Sequence, residues 1–291
     1  MRNVKVAAVQ MSCSRVVSEN ILKADRLVRE AAGKGAQIIL LQELFENVYF
    51  CQKEKLEYYA FSKNVNENDA MLHFKSVAKE LNVVLPISFY ERKNNARYNS
   101  VAVIDADGET LGIYRKSHIP DGPGYEEKFY FNNGDTGFKV WQTKFGKIGI
   151  GICWDQWFPE TARAMAIMGA EILFYPTAIG SEPDGSGTES KAHWQRCMQG
   201  HAAANIVPIV SCNRIGTETE EEMSIDFYGS SFITDAKGKI IVEASEDKEE
   251  IIYATYDLDQ IDLERVDWGV FRDRRPELYG PILTLDGQTK L

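Results

Sequence analysis

Short apolar strands alternate with helical segments along most of this chain. Strands are predicted at residues 4–10, 36–41 and 83–90, and helices at residues 19–32 and 70–81. Mixed and parallel strands bury both faces of a sheet and need helices to cover them. The order of segments therefore favours an α/β fold with large mixed sheets covered by helices.

The second half of the chain continues the alternation and adds two predicted hairpins. Their turns are Asp107-Gly108 and Lys237-Gly238, each between two apolar runs. The remaining predicted elements are strands at 147–152, 171–175 and 207–211 and helices at 160–168 and 190–204.

No linker or change of composition divides the sequence, so a single domain over 1–291 is predicted. The tail at 267–291 has little periodicity but contains aromatic, apolar and arginine residues. It is expected either to pack on a neighbouring subunit or to be a solvated tail with a few anchors.

The net charge of the chain argues against binding to nucleic acids or anionic membranes. The formal net charge is −10, and no basic stripe of the kind that binds nucleic acid or anionic membranes is present. No apolar run approaches the ~18 residues that span a bilayer, and the N-terminus is predicted to be a first strand rather than a signal peptide. The five cysteines are widely spaced and odd in number, which favours free thiols in the cytoplasm.

One cysteine lies at the end of an apolar run that is spaced by glycines. In KIGIGICWDQ (residues 147–156), Cys153 follows a predicted strand and precedes a helix start. A side chain at such a junction can protrude towards a ligand, and Gly149 and Gly151 are expected to leave clearance for a substrate. Because no histidine adjoins it, Cys153 is either a small core residue or a nucleophile that another group activates.

Two charged residues also follow predicted strands. Glu43 comes just after the apolar IILL, in surroundings that suit a carboxyl group to proton transfer near neutral pH. Lys116 ends the strand LGIYRK, where an ammonium group can stabilise a thiolate or an oxyanion. Taken alone, Glu43 and Lys116 would each be expected at a solvated position. However, both residues and Cys153 lie at strand ends, which indicates one shared site.

The segments around these residues resemble the nitrilase superfamily of carbon–nitrogen hydrolases. LLQELF surrounds Glu43, YRKSHIP surrounds Lys116 and GICWDQWFPE surrounds Cys153, and the likeness extends over essentially the whole chain. The family uses a Glu-Lys-Cys triad in this order. The resemblance implies an α-β-β-α sandwich whose subunits form four-layered dimers, and hence a homo-oligomer built from dimers. It implies that no metal or organic cofactor is required.

The resemblance also implies a role for each residue. Cys153 would be the nucleophile, Glu43 the general base and Lys116 the group that stabilises the oxyanion and could also donate a proton. The backbone N–H of Trp154 would complete the oxyanion hole. Glu127, in GPGYEEKFYF, falls where the family commonly has a glutamate that positions the lysine and the substrate.

Longer stretches resemble a branch of the family that acts on small cationic carbamoyl amines. They include LLQELFENVYFCQ, HIPDGPGYEEKFYF and WGVFRDRRPELYG. The resemblance implies a pocket with an anion for the substrate's ammonium, and Glu182 and Asp184 are candidates, although a solvated acidic loop fits them as well. Tyr125 and Trp154 are expected to line the alkyl chain.

Other assignments remain open from the sequence. Arg115, or the arginines within 272–275, could hold a carboxylate, which would suit a carbamoyl amino acid; an aliphatic amide is a further possible substrate. A non-catalytic protein of the same fold is the alternative outside the enzymes.

Two histidine signals are set aside. His193, Cys197 and His201 share one helix face but have no fourth ligand at suitable spacing, so packing on a sheet is expected. His118 lies near Lys116, yet a Cys–His mechanism would need an acidic partner that the motif does not supply.

Overall fold

The computed structural model describes residues 1–183 and 190–288. The strands of these ranges are β1 (Asn3–Gln10), β2 (Ile38–Leu41), β3 (Leu85–Lys93), β4 (Ala96–Ile104), β5 (Thr110–Arg115), β6 (Val140–Gln142), β7 (Lys147–Ile150), β8 (Ile172–Pro176), β9 (Ile209–Cys212), β10 (Ile215–Glu220), β11 (Met223–Tyr228), β12 (Phe232–Thr234), β13 (Ile240–Glu243) and β14 (Glu250–Asp257). The helices are α1 (Val17–Gly33), α2 (Asp69–Leu81), α3 (Glu127–Tyr130), α4 (Pro159–Ile167), α5 (Ser190–Asn205) and α6 (Leu258–Trp268).

The strands form two large sheets. The first has the order β14-β1-β2 and continues through a bridge between Ile38 and Val84 into β3-β4-β5. The second has the order β13-β12-β9-β8-β7-β6, with β7, β8 and β9 parallel. Strands β10 and β11 form a separate hairpin.

The two sheets pack face to face and bury the central core. Val6 and Ile38 of the first sheet belong to one apolar cluster with Ile150, Phe174 and Val210 of the second. Helices α1 and α2 cover the outer face of the first sheet, and α4 and α5 cover that of the second. The α-β-β-α sandwich is therefore confirmed.

The glycines before Cys153 make room for the core rather than for a substrate. A Cβ on Gly149 would lie 2.8 Å from Sδ of Met165, and one on Gly151 would lie 2.6 Å from Cε1 of Tyr175. The prediction that these glycines leave clearance for a ligand is wrong. They allow α4 and β8 to approach β7 closely.

Several described elements were not predicted from the sequence: the strands β6, β10, β11 and β14 and the helices α3 and α6. In the β10–β11 hairpin, β10 buries Glu218 and Glu220, so this strand lacks the apolar alternation of an ordinary strand. Helix α6 exposes Leu263, Val266 and Trp268 and therefore shows no apolar stripe towards the core. None of the described helices has the length and apolar composition needed to cross a bilayer.

Candidate active site

Four residues singled out in the sequence come together at the ends of different elements. Glu43 lies just after β2, Lys116 directly after β5, and Cys153 at the start of the 3-10 helix Cys153–Trp157; Glu127 begins α3. All four side chains are buried. The expectation that Glu43 and Lys116 could be solvated surface residues is wrong.

The ammonium of Lys116 lies between two carboxylates. Its Nζ donates to Oε1 of Glu43 at 2.9 Å and to Oε2 of Glu127 at 2.6 Å. Burial opposes the charged form of this lysine, but the carboxylates of Glu127 and Glu43 outweigh it and raise the pKa of Lys116 well above its ordinary value. Lys116 therefore keeps its positive charge at neutral pH.

Glu127 is held by a hydrogen bond at each oxygen. The Tyr49 hydroxyl donates to Oε1 at 2.8 Å, while Lys116 donates to Oε2. Burial raises the pKa of Glu127 to about 7, with Lys116 acting in the opposite direction. Tyr49, which the sequence did not single out, thus fixes this carboxylate opposite the lysine.

Glu43 has one oxygen engaged and one free within the described part of the chain. Its Oε1 accepts from Nδ2 of Asn99 at 2.6 Å and from Lys116. Its Oε2 is buried and accepts no hydrogen bond from a described residue. Such an oxygen is suited to take a proton from a nearby thiol or water. Asn99, in the middle of β4, was missed, although an asparagine inside an apolar strand is an unusual residue.

Cys153 occupies a left-handed backbone conformation, with φ of 42°. Its Sγ lies 3.7 Å from the carbonyl oxygen of Ala178. Burial, followed by the carboxylate of Glu43, raises the pKa of the thiol well above its ordinary value, and the opposing effect of Lys116 is smaller. The thiol is therefore protonated at rest and needs a base to become nucleophilic.

Asp155 joins the cysteine turn to the segment that follows Lys116. Its carboxylate accepts from Ile152 N–H at 2.9 Å, from the Tyr114 hydroxyl at 2.7 Å and from Nδ1 of His118 at 2.7 Å. The expectation that no acidic partner for His118 is present is wrong. The His118 ring also stacks on Phe158 at a centroid distance of 3.6 Å, so this histidine is part of the support of the turn.

A cavity of about 170 Å³ opens beside Cys153. Its described lining residues are Pro120, Asp121, Gly122, Pro123, Tyr125, Glu127, Cys153, Trp154, Gln156, Trp157, Ala178, Ile179, Glu182 and Ser190. The lining thus includes Tyr125, Trp154 and Glu182, which were predicted to meet a substrate. Asp184, the other predicted anion, lies outside the described residues.

The charged residues in the described lining of this cavity are all acidic. Asp121 was missed in the sequence, although it follows the lysine motif directly in HIPDGPG. The loops that carry Asp121 and Glu182 touch, because a Cβ on Gly124 would lie only 2.4 Å from Cγ of Pro183. The cavity is therefore electrostatically suited to a cation.

The arginines considered as a carboxylate clamp lie elsewhere. Arg115 donates to both oxygens of Glu91, at 2.8 and 2.7 Å, and to Asp135 at 2.7 Å. Arg272 pairs with Asp273 at the surface. Arg274 and Arg275, like these two, are absent from the described lining of the cavity.

The helix face with two histidines makes protein contacts. Nε2 of His201 lies 2.8 Å from the carbonyl oxygen of Gln156, and Cys197 lies 3.4 Å from the same ring nitrogen. Across residues 1–183 and 190–288, no group of three or more His, Cys, Asp or Glu side chains is placed to hold a metal ion.

Comparison with known proteins gives a consistent picture. The carbon–nitrogen hydrolase family model matches residues 5–265. The N-carbamoylputrescine amidases of Oryza sativa subsp. japonica and Arabidopsis thaliana are each 59% identical to this chain, over 98% of it and 96% and 97% of their own lengths. A citrullinase of Francisella tularensis subsp. tularensis is 53% identical over 97% of this chain and 99% of its own. The crystal structure of a carbon–nitrogen hydrolase from Helicobacter pylori G27 superposes with a TM-score of 0.92 at 37% identity, covering 98% of this chain and 99% of that one.

Proposed function

The chain belongs to the carbon–nitrogen hydrolase family, and we propose that within it the protein hydrolyses N-carbamoylputrescine to putrescine, carbon dioxide and ammonia, a step of putrescine biosynthesis. The observation that carries this proposal is the acidic cavity beside Cys153, whose described lining has Asp121 and Glu182 but no lysine or arginine. The identity of 59% to N-carbamoylputrescine amidases over nearly the full chain supports the same substrate.

The substrate matches the cavity at both ends. Its ureido group is neutral and would lie beside Cys153, while its far end is an ammonium group that Asp121 and Glu182 can attract. Tyr125 and Trp154 offer ring surface to the four-carbon chain between them. A substrate that ended in a carboxylate would meet the same anions unfavourably.

In the proposed first step, the free Oε2 of Glu43 takes the thiol proton as Sγ of Cys153 attacks the ureido carbon. The negative charge then forms on the carbonyl oxygen, where the Lys116 ammonium and the Trp154 N–H stabilise it. Trp154 is the second residue of a 3-10 helix, whose first N–H groups have no acceptor inside the helix. The bond from the ureido carbon to its NH2 group breaks, the proton on Glu43 passes to that nitrogen, and ammonia departs. Cys153 then carries an S-(N-alkylcarbamoyl) group that still contains the putrescine chain.

In the second step, Glu43 takes a proton from water, which attacks the same carbon. The bond to sulfur breaks and Cys153 recovers its proton. The product is a carbamate of putrescine, which decomposes to putrescine and carbon dioxide. Lys116 acts in both steps as a fixed positive charge, since its neighbouring carboxylates keep it protonated.

Comparing the rates of hydrolysis of three ureido compounds tests the proposed substrate. We expect ammonia release to be fastest from N-carbamoylputrescine, compared with citrulline and N-carbamoyl-β-alanine. Citrulline is the second candidate because a citrullinase is 53% identical to this chain. A higher kcat/KM for either carbamoyl amino acid would refute the proposed substrate.

We also propose that the chain acts in the cytoplasm as a homo-oligomer built from dimers, without a nucleic-acid or membrane partner. The single domain over 1–291 would then present apolar side chains of α6 and the tail to a neighbouring subunit. Exposed Trp268, Leu278, Ile282 and Leu283 support this. The five cysteines are all free thiols, which suits a reducing compartment. Light scattering in solution that gave a monomer mass would refute the assembly.

A further inference from the structure

An arginine outside the cavity holds the backbone that carries the proposed base. Arg214 follows β9 and is completely buried. Its Nη2 donates to the carbonyl oxygen of Glu43 at 2.8 Å and to that of Leu44 at 3.2 Å. Its Nη1 donates to Oε1 of Glu218 at 2.8 Å and to the carbonyl oxygen of Asn47 at 3.3 Å. One guanidinium group therefore links the backbone carbonyl groups of Glu43 and Leu44, in the turn after β2, to Glu218 of the β10–β11 hairpin.

The turn that Arg214 holds has an unusual backbone. Leu44 has φ of 48°, a left-handed conformation that is unfavourable for a side chain of its size. Its N–H donates to Oγ of Ser88 at 2.9 Å, on the other side of the turn. A conformation of this kind persists only where the surroundings fix it. Arg214 and Ser88 supply that constraint, and the direction of the Glu43 side chain depends on it.

The ion pair between Arg214 and Glu218 is also connected, through Tyr49, to the carboxylate of Glu127. The other oxygen of Glu218 accepts from the N–H of Tyr49. The Tyr49 hydroxyl in turn donates to Glu127, which binds Lys116. The pair of Arg214 and Glu218 is thus connected to both carboxylates that flank the lysine.

Arg214 does not line the cavity beside Cys153, so it does not contact a substrate there. We propose that Arg214, paired with Glu218, is a positioning residue that sets the Glu43 carboxylate for proton transfer with Cys153. The geometry requires the planar fork of arginine, because a lysine ammonium cannot reach three carbonyl oxygens and a carboxylate in the same way. The inference rests on the proposed roles of Glu43 and Cys153 but not on the identity of the substrate.

The test is Arg214→Lys, which keeps the positive charge beside Glu218. We expect kcat to fall by at least about tenfold while KM changes by less than about twofold, since only proton transfer is impaired. Alkylation of Cys153 by iodoacetamide, followed by peptide mass spectrometry, should slow by a similar factor. This second measurement uses no substrate, so it still tests the inference if N-carbamoylputrescine proves to be the wrong compound.

Cys197 in the same sample is an internal reference, because its alkylation should not change. Arg265→Lys is the matched control, since Arg265 also donates to a carbonyl oxygen, that of Ile206 at 3.0 Å, but away from the site. Glu218→Gln is the second variant, to be used if Arg214→Lys does not fold; it leaves an acceptor for Arg214 and should show a smaller loss of the same kind. Unchanged kcat and unchanged Cys153 alkylation in a folded variant of the pair would overturn the inference.

Discussion

The carboxylate of Asp155 and Nδ1 of His118 lie 2.7 Å apart and connect two segments of the site. Asp155 is two residues after Cys153, and His118 is two residues after Lys116. The same carboxylate also accepts from the backbone N–H of His118 at 3.1 Å. The distance between the proposed nucleophile and the ammonium is therefore fixed by a buried acid that itself takes no part in the chemistry.

Asp155→Asn should impair both turnover and stability. The aspartate accepts four hydrogen bonds, from Ile152, Tyr114 and both N–H groups of His118, and an amide has only one acceptor oxygen. The donors left without acceptors should lower the free energy of unfolding by about 1–3 kcal/mol. We expect kcat to fall by about tenfold or more, as is usual when a catalytic group is misplaced.

Urea unfolding and ammonia release measure these two effects. Asp259→Asn is the control, because Asp259 is exposed and pairs with Arg2 at the surface. Wild-type kcat in Asp155→Asn would show that the acid does not position the cysteine turn.

Cys153→Ala should abolish turnover and leave the fold intact. The substitution removes only the sulfur atom from a residue whose thiol makes one long contact, 3.7 Å from the Ala178 carbonyl oxygen. Ammonia release should drop to the background rate, and the thermal midpoint should remain close to that of the wild type. Cys197→Ala, on the helix behind the site, is expected to retain full activity. Residual turnover above background in Cys153→Ala would remove this residue from the mechanism.

Asp121→Asn and Glu182→Gln should weaken binding of the cationic substrate. Each substitution removes one negative charge from the cavity, and we expect KM for N-carbamoylputrescine to rise by about tenfold per charge. Butylurea, which has the same ureido group and four-carbon chain but no ammonium group, should show little change in KM with either variant.

Glu126→Gln is the matched control, because Glu126 neighbours Glu127 but is absent from the described lining of the cavity. If KM for both compounds rose equally in Asp121→Asn and Glu182→Gln, the acids would affect the shape of the cavity rather than its charge.

Glu46→Gln should change how stability depends on pH. Glu46 is buried, and Nδ2 of Asn68 donates to both of its oxygens, at 3.0 and 2.9 Å. Burial raises the pKa of Glu46 to about 7 in the folded protein, whereas the unfolded chain has the ordinary value of 4.5. The folded state thus holds this proton more tightly. The resulting stabilisation is complete below about pH 4.5 and is lost as the pH rises through about 7.

Between about pH 5 and pH 8 the free energy of unfolding of the wild type should fall by about 2–3 kcal/mol more than that of Glu46→Gln, whose side chain does not ionise. Urea unfolding at both pH values gives the difference directly. Glu54→Gln, at an exposed site, should show the same pH dependence of the free energy of unfolding as the wild type. Parallel pH profiles for wild type and Glu46→Gln would mean that Glu46 is ionised throughout.

The residues that carry the proposed chemistry were predictable because each follows a strand. Glu43, Lys116 and Cys153 stand at the ends of β2, β5 and β7, and their order matches the family motif. The helices and strands around them were found from apolar periodicity, with bounds that differ by one to three residues from those observed.

The supporting residues could not be found in this way. Arg214, Asn99 and Asp155 are buried polar groups, and their partners come from distant parts of the sequence. The β10–β11 hairpin was missed for a related reason. Its buried positions include Glu218 and Glu220, which pair with Arg214 just before the hairpin and with the distant Lys55. Local patterns report on apolar burial, whereas charge pairing across the fold leaves no periodic signal.

The two carboxylates around Lys116 also determine what the resting protein does not react with. With Glu43 and Glu127 both beside one ammonium, a thiolate at Cys153 would add negative charge to a centre that already has an excess of it. Peroxides oxidise thiolates and soft metal ions bind them, but both react poorly with a neutral thiol. The proposed nucleophile is thus held as a weakly reactive neutral thiol, and we expect it to react fastest when Glu43 can take its proton.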